Sequence, residues 1–369
     1  MEEGAKKMKI FDRVKKAKKK LFFLCFFLPG FLQAANALPN KTTLPNVALV
    51  ITGGTIVEVT DPKTGASVPA KSAEDILIAV PELKQIANVT TVSFSNIDSS
   101  QMAPEMWAKL SKVVNDLLKD PKIKGVVVAH GTDTMAEGAY FLDLTITENK
   151  PVVFVGAMRN ASDPHSDGPP NLIDAVAQAV SDKAYDWGVT VTMNSYINAA
   201  RFVEKKQSTN VQAFSSGDKG IRGYVINQKV YRVNDRAFRQ VLPLPEKLPK
   251  VDIIQDFAGS DGALVRYAVD QGAQGIVVNG FGSGNVNTNV YNAIVYAISK
   301  GVAVVITTTV PEGGVFPFYG DIGGGQTMQQ AGAIVMGDLP AAKARLLLML
   351  ALPVVKSNHA LLNQYFSNY

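Results

Sequence analysis

The chain has 369 residues, 47% of them hydrophobic and 19% charged, with a formal net charge of +5. That length suggests about two domains at roughly 150 residues each. The single cysteine, Cys25, lies within the first 37 residues, so the rest of the chain is excluded from disulfides, thiolate catalysis and cysteine metal sites, and His130, His165 and His359 show no metal-ligand spacing.

The N-terminus reads as a leader. A basic cluster from Lys6 to Lys20 precedes an apolar run from Leu21 to Leu32, and Ala35-Asn36-Ala37 follows. Basic, apolar, A-x-A is the order of a secretory signal peptide. The apolar run is short of the roughly 20 residues that cross a bilayer. Cleavage is expected after Ala37, which predicts a periplasmic or secreted protein. Nine of the 37 basic residues and three of the 32 acidic ones fall in the leader, so the net charge drops from +5 to −1 without it. Bulk charge therefore gives no case for a nucleic-acid or membrane-surface partner once the leader is removed.

Beyond the leader, short β-rich runs alternate with amphipathic stretches. Strands are predicted over Val47–Thr52, Val89–Ser95, Gly125–Ala129, Pro151–Val155 and Gly188–Met193. Helices are predicted over Ala73–Ala87, Pro104–Lys119, Asp133–Thr145 and Asn171–Lys183. The strands are nearly continuous in apolar residues, as expected where helices cover both faces of a parallel sheet. The pattern lapses at Leu242-Pro243-Leu244-Pro245 and Leu248-Pro249-Lys250, a proline-stiffened stretch. It then resumes with strands Val251–Gln255, Gly275–Val278 and Val302–Thr307 and helices Asp261–Gln271, Asn287–Lys300, Pro340–Leu352 and Asn358–Phe366. The expected architecture is α/β: a doubly wound N-terminal domain over 38–229, a linker over 230–250 and a smaller parallel α/β domain over 251–369.

In open α/β sheets, ligands sit outside the carboxyl ends of the strands. The segments that follow the first four strands are Thr52-Gly53-Gly54-Thr55, Asp98-Ser99-Ser100-Gln101, His130-Gly131-Thr132-Asp133-Thr134 and Gly156-Ala157-Met158-Arg159. They bring hydroxyls, carboxylates and flexible backbone to one edge. Glycines before a threonine let backbone N–H groups turn toward a developing oxyanion. Thr132-Asp133 adds a hydroxyl beside a carboxylate, and Lys183, at the end of the helix after the fourth strand, offers an amine for a proton relay. Each feature also has a plain reading: a tight turn, a helix N-cap and a cation at a helix C-terminus.

Taken together, Leu49-Val50-Ile51-Thr52-Gly53-Gly54-Thr55-Ile56 and Gly125 through Met135 resemble the two signatures of the bacterial asparaginase/glutaminase family. The likeness continues through Tyr140–Thr145, Val155–Arg159, Asp167-Gly168-Pro169 and Lys343-Ala344-Arg345, and the leader resembles that of the secreted branch. The resemblance implies hydrolysis of L-asparagine to L-aspartate and ammonia, with glutamine a further substrate, and no cofactor. It implies Thr55 as nucleophile, and Thr132, Asp133 and Lys183 as a second relay. It also implies Ser99 for the substrate's α-carboxylate, Asp133 for its α-ammonium and the Ala157 carbonyl for its amide. The family's homotetramer completes each site from a neighbouring subunit.

Some positions depart from the family pattern. Ile56 to Val80 contains no tyrosine where a lid tyrosine is usual, and Ser100 stands for the usual glutamine. The neighbour's contribution is expected near Ser260 and within Pro311 to Asp321, where Tyr319, backed by Asp321, is the candidate to replace the lid phenol; plain interface packing by Phe316, Phe318 and Tyr319 is the alternative. Two other functions fit the same residues: a hydrolase of another small ω-amide, and a periplasmic protein that binds an amino acid without turnover.

Overall fold

The computed structural model describes residues 43–69 and 74–367. The predicted leader and the cleavage expected after Ala37 lie outside the described residues. In chain order, β1 (Asn46–Ile51) leads through a 3-10 turn to the hairpin β2 (Glu58–Thr60) and β3 (Ser67–Pro69), then to α1 (Glu74–Ala79) and β4 (Asn88–Ser93). Helix–strand pairs follow: α2 (Pro104–Lys119) with β5 (Ile123–Ala129), α3 (Met135–Asp143) with β6 (Val152–Val155), and α4 (Gly168–Val180) with β7 (Val189–Met193). Next come β8 (Tyr196–Ala199), β9 (Glu204–Lys205), β10 (Phe214–Ser215), the one-turn α5 (Gly217–Gly220), β11 (Ile221–Ile226) and β12 (Lys229–Arg232). The C-terminal half runs β13 (Val251–Gln255), α6 (Ala263–Asp270), β14 (Gly275–Gly280), α7 (Thr288–Ser299), β15 (Ala303–Thr308), α8 (Gly325–Gln330), α9 (Ala341–Val355) and α10 (Asn363–Phe366).

The larger sheet has eight strands in the order β12-β11-β8-β7-β6-β5-β1-β4. β4, β1, β5, β6 and β7 run parallel, and β8, β11 and β12 extend the sheet antiparallel. The central parallel strands β1, β5 and β6 are nearly continuous in apolar residues because both faces are covered. Ala48, Val50, Val126, Val128 and Phe154 pack with Trp107, Leu110 and Val114 of α2 and Phe141 of α3. Their neighbours Val47, Leu49, Val127, Val153 and Val155 pack with Leu172, Ala175 and Val176 of α4. The pleat sends alternate residues to opposite faces, so each strand belongs to two cores.

A three-stranded parallel sheet, β13-β14-β15, forms the second layer set. Leu346 through Leu352 of α9 are all buried. They share one core with Val277 and Val305 of the small sheet and with Tyr140 and Phe141 of α3. From Leu44 onward the chain is one compact unit.

Three expectations differ from the structure. The helix predicted over Ala73–Ala87 breaks at Pro81: Val80 adopts φ −129°, ψ 68°, and a 3-10 turn over Pro81–Gln85 follows. The ring of a proline disfavours the helical region for the residue before it and removes an N–H donor. The linker predicted over 230–250 begins inside β12, because Val225, Tyr224 and Gly223 pair with Val230, Tyr231 and Arg232. The third concerns Lys183, described with the site.

Candidate active site

Sheet order places the site. β1 has β4, the next strand of this sheet in chain order, on one side and β5 on the other, so the winding reverses between β1 and β5. Loops leaving the carboxyl ends of strands at such a switch point diverge and open a crevice. The two loops that flank this one are Thr52–Thr55 and His130–Thr134.

The first loop is held down by Thr52, whose N–H and Oγ1 both donate to the carbonyl of Ala129, at 3.0 and 3.1 Å. Gly53 and Gly54 then take φ values of 117° and 85°, a region costly to any residue with a side chain. Sterics add to that demand. A Cβ on Gly53 would overlap the Ile97 carbonyl, and one on Gly54 would overlap Gly131 Cα. Thr55 and Thr132 therefore leave from backbones already in contact. Thr55 opens a 3-10 turn and is half-buried. It lines an open depression together with Glu58, Asp163 and Met158 to Asn160.

Ser99, buried at the end of the second loop, faces the third. Its Oγ accepts from the backbone N–H of Asp133 at 3.2 Å and of Thr134 at 3.4 Å, while Thr134 Oγ1 donates to the Ser99 carbonyl at 2.8 Å. A hydroxyl accepts twice and donates once. With both acceptor positions engaged, Ser99 has a proton to give, which suits an anionic ligand. Ser100 beside it is exposed.

The fourth loop is fixed from behind by Asp167. Its carboxylate accepts from Met158 N at 3.0 Å, from Arg159 N at 2.9 Å and from Asn171 Nδ2 at 3.0 Å. Asn171 Nδ2 also donates to the Gly156 carbonyl at 3.1 Å. Ala157 is thereby buried between anchored neighbours. Gly156 abuts Thr132, its missing Cβ lying 3.2 Å from Thr132 Cγ2.

The amine in this site is Lys205. Its Nζ donates to Thr132 Oγ1 at 2.9 Å and to Asp133 Oδ1 at 2.7 Å. The Lys205 side chain is 19% exposed and that of Asp133 65%, so the ion pair sits at the mouth of the crevice with the amine on its inner side. Lys183, expected in this place, is elsewhere. It is exposed, donates to the Val230 carbonyl at 3.1 Å and lies over the Tyr231 ring. The reason is the direction of the crossover: α4 starts at the carboxyl edge of the sheet and runs 13 residues back, about 20 Å at 1.5 Å per residue. Its far end is therefore at the amino edge, across the sheet from the site. Lys205 stands on a two-residue strand in a polar stretch, Glu204-Lys205-Lys206, and nothing in the local pattern distinguishes it from its neighbour.

His130 is fully buried beneath the third loop. Its Nδ1 is 2.7 Å from the Gly131 carbonyl and its ring leans on Phe154, with centroids 5.5 Å apart. Desolvation lowers its pKa to about 4 despite that carbonyl, so the ring is neutral near pH 7 and supports the loop rather than carrying charge.

The residues expected from a neighbouring subunit lie in the C-terminal half. Ser260 is buried in its own chain, its carbonyl accepting from Asn287 Nδ2 at 2.8 Å. Tyr319, 52% exposed, and Asp321 are on the surface of the segment that carries the stacked rings of Phe316 and Phe318.

With this geometry in place, comparison with known proteins is decisive. The family described as "Asparaginase, N-terminal" matches residues 46–238, and "Glutaminase/Asparaginase C-terminal domain" matches residues 250–366. The chain belongs to the asparaginase family. It is 37% identical over 341 residues to the probable periplasmic L-asparaginase of Haemophilus influenzae, covering 90% of this chain and 95% of that one. It is 37% identical to L-asparaginase 2 of Escherichia coli, covering 94% and 98%. A glutaminase-asparaginase of Pseudomonas fluorescens is 32% identical, covering 92% and 98%. Among solved structures, the probable cytoplasmic L-asparaginase of Campylobacter jejuni superposes with a TM-score of 0.80 at 37% identity, covering 88% of this chain and all of that one.

Proposed function

We propose that this chain is an amidohydrolase that converts L-asparagine to L-aspartate and ammonia, with L-glutamine a second substrate. The observation that carries the reading is Lys205 bridging the Thr132 hydroxyl and the Asp133 carboxylate next to the loop of Thr55. Thr55 attacks the side-chain amide carbonyl. Its proton passes to the departing nitrogen, ammonia leaves and an ester to Thr55 remains. Water then cleaves the ester and returns the threonine hydroxyl. Thr132, Asp133 and Lys205 form the proton relay that a neutral hydroxyl requires as a nucleophile or as an activator of water.

The substrate's charged end is assigned to the other loops. The outward proton of Ser99 suits the α-carboxylate, and the exposed Asp133 suits the α-ammonium. The Ala157 carbonyl takes the amide. A second copy of the chain in a homotetramer supplies Tyr319 and Asp321, which are exposed on their own chain, while Ser260 is too buried to reach far. The halves at 46–238 and 250–366 act as a catalytic domain and a completing domain. Export to the periplasm, with cleavage near Ala37, is supported by the order of the leader and by the periplasmic relative.

Ammonia release from purified protein beginning at residue 38, measured on asparagine, glutamine and other small ω-amides, tests the reading. Turnover of asparagine that is abolished by Thr55→Val supports it. Turnover confined to another amide, or ligand-induced stabilisation without ammonia, overturns it.

A further inference from the structure

Lys343, on the buried α9, is 2% exposed. A lysine so deep must have its ammonium satisfied or be neutral. Its Nζ donates to the backbone carbonyls of Val203 at 2.6 Å and Arg201 at 3.0 Å, and lies 5.8 Å from the centre of the Tyr140 ring. Those carbonyls belong to the turn between β8 and β9, two and four residues before Lys205. The same turn is held a second time from the C-terminal half, where the Arg201 guanidinium pairs with Asp338 at 2.6 Å, both side chains largely buried. β9 itself is only two residues long and pairs only with the equally short β10. So short a ladder fixes position weakly, and the Lys343 amine adds an anchor at Val203, on the N-terminal side of Lys205.

We propose that Lys343 is a positioning residue for the reaction: by clamping the carbonyls of Arg201 and Val203 it holds Lys205 Nζ against Thr132 and Asp133. The inference rests on the relay reading of Lys205. The charged and titratable groups facing Lys343 are Glu137, Tyr140 and Asp143 of α3, Arg201 of the turn and Glu204 of β9. Burial brings the Lys343 pKa down to about 7, with Glu204 the leading opposing influence. The clamp therefore works in two strengths, charge-assisted below neutrality and as a neutral amine above it.

The test uses the full mature chain with Lys343→Met, Lys343→Gln and Lys343→Arg, and Lys205→Met in parallel. Folding is checked by circular dichroism, and kcat, KM and the kcat–pH profile are measured for amide hydrolysis. The expected result is a loss of about 10- to 100-fold in kcat for Lys343→Met, as small misplacements produce. KM should stay within about twofold, the pH profile should move, and Lys343→Arg should recover part of kcat. Lys343→Gln, which keeps an N–H donor, replaces Lys343→Met if the latter does not fold. A folded Lys343 variant with wild-type kcat and pH profile, lowered only in melting temperature, overturns the proposal while an inactive Lys205→Met leaves the relay standing. Wild-type kcat in Lys205→Met overturns the relay and the proposal with it.

Discussion

Gly54 and Gly131 meet backbone to backbone, and neither position has room for a Cβ: one on Gly54 would overlap Gly131, and one on Gly131 would come within 2.7 Å of Ser99 Oγ. This contact brings together the loops that carry Thr55, Thr132 and Ser99. Gly54→Ala combines that overlap with a φ of 85°. The backbone strain alone is worth about 1–3 kcal/mol. Urea unfolding should register at least that loss, and ammonia release should fall even in the fraction that folds, because separating the loops separates the two threonines.

Lys205 and Lys183 should behave oppositely. Lys205→Met removes the donor to Thr132 and Asp133, and roughly a 100- to 10,000-fold drop in kcat is expected from loss of proton transfer. Lys183→Met touches only the amino edge of the sheet. It should leave kcat and KM unchanged and shift stability by no more than about 0.5 kcal/mol. Steady-state kinetics on the pair decides which lysine serves the reaction.

His130 predicts an acid-sensitive fold. Its folded pKa of about 4 lies below the usual value near 6.5, so the unfolded chain binds the extra proton first. Stability should therefore fall as pH drops from about 6.5 toward 4, and this contribution should level off below that. The full effect is about 3 kcal/mol at roughly 1.4 kcal/mol per pKa unit. Urea midpoints at pH 7 and pH 4.5 should separate further in the wild type than in His130→Gln, which cannot titrate there.

Asp167 should matter for substrate affinity through the loop it anchors. Asp167→Ala leaves the N–H groups of Met158 and Arg159 without their acceptor. A cost of about 1–3 kcal/mol is expected, together with a raised KM as the loop bearing Ala157 loosens. Asp167→Asn, isosteric but presenting at most one carbonyl, should fall between the two.

The strands that build the centre of the large sheet were legible because burial on both faces writes itself as unbroken apolar runs, as in Gly125–Ala129 and Pro151–Val155. Their loops were legible for the same reason: a strand's carboxyl end is known once the strand is. Strand order was not, since nothing in β1 or β5 names its neighbour. β11 was missed because Arg222 and Tyr224 interrupt its apolar pattern, and its pairing with β8 and β12 is antiparallel at the sheet's margin. Lys183, expected beside Thr132 and Asp133, lies elsewhere because a helix after a strand returns to the opposite edge, so proximity in sequence to the last loop of the crevice is not proximity in space. Lys205 reaches the site through two very short strands that leave almost no periodic trace.

The position of α9 has a bearing on how the protein is made. Synthesis runs from the N-terminus, and Thr55, Ser99, Thr132 and Lys205 all emerge well before Lys343. Until Ala341–Val355 is out, the apolar face of α3 waits uncovered and the turn before Lys205 waits unclamped. A chain cut short after residue 238 would carry every loop of the crevice and still be expected to turn over nothing, because the helix that clamps the turn before Lys205 is made more than a hundred residues later.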